Sequence, residues 1–225
     1  MNIQQNVKKY LEILQECPLF EGVQMQEMES LLDCMGARMM AVGKGPTVFR
    51  EGDPATAIGI VLDGMLQLSR QDYDGKRSIV AHLLGGDLFA EAFAFARHQV
   101  LPVTVTAEQD SCVLLLDSVK LSMCCCNGCQ FHSRVIFNLL RISADKNVML
   151  HRKLQILSKR TTREKLLAYL QQQALSCGSR EFSIPYDRQA LADYLEVERS
   201  GLSVQISKLC QEGVIACSRR HFQLL

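Results

Sequence analysis

Residues 186–215 read YDRQALADYLEVERSGLSVQISKLCQEGVI. Asp187 precedes a short run of apolar periodicity, where its carboxylate can accept from the unpaired N–H groups of a first helical turn. Leu191, Ala192 and Leu195 mark one helix. After a turn around Leu195 to Val197, Leu202, Ile206 and Leu209 mark a second, from about Glu198 to Gln211. The small Ala192, with leucines on the facing sides, lets the two helices cross closely. That is the packing of a helix-turn-helix, which sets its second helix into the DNA major groove. VIACSRRHFQLL, residues 214–225, adds two short strands around Ser218-Arg219-Arg220-His221, a wing.

Upstream, SKRTTREKL (158–166) is a hinge in which Thr161 or Thr162 caps a helix that Gly178 ends. A longer helical pattern precedes it, over residues 131–159. Ile136, Leu140, Ser143, Asn147, Leu150 and Leu154 follow alternating steps of four and three, the spacing of a coiled-coil seam, with Asn147 as a polar residue that fixes register. Val135, Leu139, Ile142, Met149 and Ile156 form a second stripe one position earlier. The helix therefore has apolar surface for two partners: the domain before it and a second subunit. A single wide buried face in a monomer is the alternative.

From Arg38 to Asp117 short runs such as AIGIVLDG, MLQLSR, SIVAHLL and CVLLLD are punctuated by GKGP, REGDP and DYDGK, the texture of an antiparallel all-β domain. Asp63-Gly64, between two strand-like runs, predicts a tight hairpin. The whole reads as an α+β chain with an N-terminal antiparallel, jelly-roll-like β-roll over residues 1–125, a dimerisation helix over 126–157 and a winged helix-turn-helix over 158–225.

Composition bounds the function. The chain has 225 residues, 48% hydrophobic and 22% charged, with neither a signal-peptide core nor the roughly 18 consecutive apolar residues of a membrane span, so a cytoplasmic location is expected. In that reducing compartment ten cysteines do not imply a disulfide framework. Residues 1–125 carry 10 basic against 16 acidic side chains and residues 126–225 carry 15 against 8, a net −6 and +7. A basic back half fits a polyanionic partner such as double-stranded DNA, although two solvated surfaces could share charge this way by chance. No nucleophile elbow, phosphate loop or zinc-helix motif points to an enzyme.

The order of these parts, with GDLFAE (86–91), TTREKLLAYL (161–170), DRQALADYLEVERSGLS (187–203) and KLCQEGVI (208–215), resembles the Crp/Fnr family of bacterial transcription regulators over essentially the whole chain. The resemblance implies a homodimer that binds a palindromic operator, answers to a small effector acting on the β-roll and long helix, and works with RNA polymerase. It assigns base reading to Glu198, Arg199 and Ser200, with further contacts from Ser203 and Val204. Arg199 suits bidentate contact with guanine, and Val204 replaces an arginine of many relatives. Ser200, Ser203 and Ser207 could donate to phosphates, and Arg219 and Arg220 in the wing would hold phosphates.

In the effector pocket of that family a Gly-Glu pair is followed by an Arg-Ser or Arg-Thr pair that neutralises a cyclic phosphate. Here Phe89, Ala90 and Glu91 stand at the first place and Leu101 and Pro102 at the second. An unpaired buried phosphate is costly, so cyclic AMP is not the expected effector. Oxygen-sensing relatives use three closely spaced N-terminal cysteines, and only Cys17 and Cys34 are present. The sequence names no cofactor.

One stretch fits none of this: MCCCNGCQFH, residues 123–132. On a helix, Cys125, Cys129 and His132 would share a face and could bind a soft metal, but Asn127-Gly128 favours a turn. Redox-active thiols and inert packing are the other two readings. A regulatory protein that binds a ligand or metal and acts through protein contacts is the alternative function, with the helix-turn-helix a remnant.

Overall fold

The computed structural model describes residues 8–71, 74, 77–96, 100–123 and 130–225. They form two compact units, Met1–Ser143 and Ala144–Leu225.

The first unit opens with helix α1 (Leu11–Glu16), which stops before Pro18 because proline cannot continue its hydrogen bonding. Helix α2 (Met25–Cys34) follows. The strands are β1 (Arg38–Val42), β2 (Thr47–Phe49), β3 (Ala57–Asp63), β4 (Leu66–Gln71), β5 (Arg77–Leu83), β6 (Leu88–Phe89), β7 (Thr104–Ala107) and β8 (Ser111–Asp117), with short helices α3 (Glu91–Ala94) and α4 (Ser118–Ser122). They make two antiparallel sheets, β1-β8-β3-β6 and β2-β7-β4-β5. Val61, Leu66, Val105, Ala107 and Val113 fill the space between the sheets. On the other face of the first sheet Ile58, Ile60, Leu62, Leu114 and Leu116 pack under α1 and α2. Burial on both faces explains why β3 and β8 read as continuous apolar runs rather than alternating ones.

The hairpin expected at Asp63-Gly64 is not there. β3 bonds to β8 and β6, while β4 bonds to β5 and β7, so the turn carries the chain from one sheet to the other. Gly64 has φ +88°, and a Cβ would lie 2.3 Å from Ser111 Oγ, whose hydroxyl also accepts from Met65 N–H. Glycine is needed there for a sheet crossing, and a local turn signal cannot tell that from a hairpin.

Helix α5 (Gln130–Leu157) spans 28 residues, about 42 Å. Its first half belongs to the first unit: Val135 and Leu139 are buried with α1 and α2, and the Asn138 amide donates to Leu19 O (3.0 Å) and Glu21 O (2.9 Å). Its second half belongs to the second unit, where Ile156 is buried and Lys153 Nζ lies 5.2 Å from the Tyr194 ring centre. The boundary between the two units falls within this helix.

The second unit continues with α6 (Thr162–Cys177), β9 (Glu181–Ser183), α7 (Arg188–Leu195), α8 (Arg199–Gln211), β10 (Ile215–Ser218) and β11 (His221–Leu224), the strands ordered β10-β11-β9. Thr161 caps α6 reciprocally with Glu164: the Thr161 hydroxyl accepts from Glu164 N–H (3.2 Å) and the Glu164 carboxylate from Thr161 N–H (3.1 Å). Gly178 ends the helix at φ +62°. Leu166, Leu170, Leu191, Leu195, Leu202, Leu209 and Phe222 make the core, with Ala192 fully buried beside them. The molecule is thus an antiparallel β-roll, a long helix and a C-terminal winged helix-turn-helix.

Candidate nucleic-acid interface

Three local devices set the recognition helix. Asp187 caps α7 by accepting from Ala190 N–H at 2.9 Å. Glu196, at φ +52°, makes the turn between the helices, and Lys165 Nζ donates to the carbonyls of Leu195 (3.1 Å) and Glu196 (3.4 Å) that the turn leaves open. At the far end the Arg163 guanidinium grips the Glu212 carboxylate through two hydrogen bonds, 3.0 and 2.6 Å.

Leu202, Ile206 and Leu209 turn inward, so the 3.6-residue period leaves Ser200, Ser203, Val204, Ser207, Lys208 and Gln211 on the exposed face of α8. Glu198 and Arg199 are exposed at its start, the end that meets base edges in a helix-turn-helix. Arg219 and Arg220 are exposed in the β10–β11 turn, where Arg219 takes φ +53°. The Asp187 carboxyl lies below its ordinary value, chiefly through the Ala190 N–H, and the charges of Arg220 and Arg199 pull the same way.

The serines are less available than their type suggests. Ser203 Oγ donates to Arg199 O (3.0 Å) and Ser207 Oγ to Ser203 O (3.1 Å), each bonding back one turn along its own helix. Lys208 and Gln211 were not singled out in the sequence, although the step from Val204 to Lys208 to Gln211 continues the same exposed stripe.

The effector-pocket residues divide by burial. Phe89 is core: its ring meets Phe49 edge-on at 5.7 Å and covers Gly59, where a Cβ would lie 2.0 Å from it. Ala90 takes φ +64°, the conformation a glycine supplies without strain, and places Glu91, also buried, at the start of α3. Leu101 is buried and Pro102 exposed. Arg77, on β5, donates to Ser69 (2.9 Å), Gln67 (3.1 Å) and Thr106 (3.1 Å) of its own sheet.

Cys125 and Cys129 lie outside the described residues. His132 is buried, with Nε2 2.8 Å from Leu121 O and Nδ1 3.6 Å from Cys34 Sγ. A carbonyl only accepts, so Nε2 is the donor to Leu121 O, and Nδ1 faces the Cys34 sulfur. Among the described residues no three His, Cys, Asp or Glu side chains cluster as a metal site.

Together these features define a winged helix-turn-helix transcription regulator with a β-roll sensor-type domain. The profile of the Cyclic nucleotide-binding domain matches residues 40–125, and that of the Crp-like helix-turn-helix domain matches residues 164–225. The chain belongs to the Crp/Fnr family of DNA-binding transcription regulators. It is 29% identical over 193 residues to the transcriptional activator protein FnrL of Cereibacter sphaeroides, covering 79% of this chain and 72% of that protein. It is 26% identical over 221 residues to the nitrogen fixation regulation protein FixK of Bradyrhizobium diazoefficiens, covering 93% and 85%. In fold it is similar to the Thermus thermophilus catabolite activator protein (TM-score 0.55, 23% identity, 92% of this chain and 93% of that one). It is likewise similar to the sensor domain of the regulator DNR from Pseudomonas aeruginosa (TM-score 0.54, 22% identity, 71% and 98%).

Proposed function

We propose that the chain works as a homodimer on a palindromic operator, that a small effector other than cyclic AMP sets its affinity, and that RNA polymerase is the partner it addresses. The exposed seam of α5 carries this reading. Leu140, Leu150 and Leu154 are each more than 60% exposed, on the stripe that also holds Ser143 and Asn147, while Ile136 is half-buried. Of the neighbouring stripe, Val135, Leu139 and Ile156 are buried within the chain, Ile142 is half-buried and Met149 is exposed. A row of leucines in water is covered at low cost by the same row of a second copy, because a twofold axis makes one surface complementary to itself. Met149, exposed beside that row, widens it.

The case against cyclic AMP rests on Leu101. A buried leucine stands where the resemblance expects the arginine that meets the phosphate, and Arg77 is already bonded to its own sheet. The experiment is a fluorescence titration of the full chain with promoter fragments and with random duplex, with and without cyclic AMP. The reading expects preference for a subset of promoters and no response to the nucleotide. Equal binding to all duplexes would defeat it.

A further inference from the structure

Two cysteines that lie apart in the sequence stand together in the second unit. Cys210, in the last turn of α8, and Cys217, in β10, are free thiols, both half-buried, with their sulfurs 3.5 Å apart. The turn between them produces the approach: Gly213 N–H donates to Cys210 O (3.2 Å) and Val214 N–H to Leu209 O (3.0 Å), so the strand doubles back along the end of the helix. Donors converge on one of the two sulfurs. Cys210 S–H points to Cys217 Sγ, and Arg188 Nη2 lies 3.7 Å from the same atom while its guanidinium sits 5.2 Å from the Phe222 ring centre. Cys217 Sγ is therefore the acceptor of the pair, with a guanidinium beside it, the surroundings in which a sulfur attacks most readily. Burial pushes the Cys210 thiol up, and its neighbour Cys217 adds to this, so Cys210 keeps its proton as the donor.

We propose that Cys210 and Cys217 form a redox-active dithiol that a low-molecular-weight disulfide closes to an intrachain disulfide, and that closure weakens operator binding. In the first step the Cys217 thiolate attacks one sulfur of oxidised glutathione. A mixed disulfide forms and one glutathione thiolate leaves, taking up the proton that Cys217 gave to solvent. Cys210 then loses its proton and attacks the Cys217 sulfur, displacing the second glutathione. The protein loses two protons and two electrons, and the oxidant takes them up to become two thiols. Bonded sulfurs are about 2.05 Å apart, so the pair must close by about 1.5 Å. That movement draws the end of the recognition helix toward the wing strand and takes from Arg188 its sulfur acceptor, next to the Arg219-Arg220 turn. The DNA-binding half of the proposal rests on the function proposed above; the chemical half does not.

The test separates the two. The purified full chain is held in glutathione buffers of rising oxidised fraction, alkylated with iodoacetamide and cut after Lys and Arg. Both cysteines then fall on one peptide, Leu209–Arg219. The proposal expects that peptide to carry no alkyl group and to weigh two hydrogens less than its dithiol form, and dithiothreitol given before alkylation to return the doubly alkylated peptide. It also expects wild-type operator affinity to fall about tenfold on oxidation, the size of one good base contact, while Cys210→Ser and Cys217→Ser, two independent variants, lose far less than wild type under the same treatment. A Leu209–Arg219 peptide that stays doubly alkylated while other cysteines oxidise overturns the proposal. So does a disulfide that forms without changing affinity. A chain that bound no operator even when reduced would instead defeat the DNA-binding reading, and the peptide masses would still decide whether the dithiol reacts.

Discussion

On the proposed function, Arg199 is the residue on which reading of the operator sequence would most depend. It is exposed at the start of α8, where a guanidinium can meet guanine O6 and N7 together. Arg199→Ala should therefore weaken operator binding by about 1–3 kcal/mol and relax preference at one base pair of each half-site, as measured by titration against single-position operator variants. Arg219→Ala should weaken binding to all sequences alike, because a phosphate contact carries no base information. Glu196 offers a test of stability at the same scale. It holds φ +52°, which costs a residue with a Cβ roughly 1 kcal/mol or more, while glycine adds less than that in unfolded-state entropy. Glu196→Gly should leave the fold intact and raise stability by about 0.5 kcal/mol, read from chemical unfolding.

Among the elements, the helix caps were legible in the sequence and the contacts between elements were not. Asp187 and Gly178 act on groups within a few residues of themselves, so composition alone places them. Period alone also separates buried Leu139 from exposed Leu140 on the long helix, but it groups Met149 with Leu139, and Met149 is exposed. Asn138 reaching Leu19 and Glu21, and Cys210 meeting Cys217, depend on which elements the fold brings together. The Asp63-Gly64 turn shows the limit most plainly, because one positive-φ glycine serves a hairpin and a sheet crossing equally well. Strand β9 was missed since three residues are too few for alternation to register.

The caps also fix an acid response of the second unit. Glu164 is held below its ordinary value chiefly by the Thr161 N–H, Asp187 by the Ala190 N–H and Glu212 by Arg163. A carboxyl whose folded value is depressed contributes stability above its unfolded pKa and loses it as pH falls through the folded one. The unit should thus keep its unfolding midpoint from neutrality to about pH 4.5 and lose it below, where unfolded carboxyls begin to protonate. Asp187→Asn should flatten that decline, as followed by circular dichroism across a pH series; an unchanged decline would remove Asp187 as a contributor.

For the whole molecule, the account joins a twofold seam to a paired DNA-reading face. Leu140→Asp with Leu150→Asp places charge at two positions already open to water, so each chain should fold, but a symmetric pair loses four buried leucines. At about 1.5 kcal/mol each that is roughly 6 kcal/mol, or about 10⁴-fold in dimer affinity, which sedimentation equilibrium would register as monomer. The most direct measurement of the central claim is selection of bound sites from a pool of randomised duplexes by the full chain. The account predicts enrichment of an inverted repeat whose half-site centres lie one helical turn, about 10 base pairs, or a multiple of it apart. Recovery of sequences no different from the starting pool, or of a single half-site without its inverted mate, would contradict it.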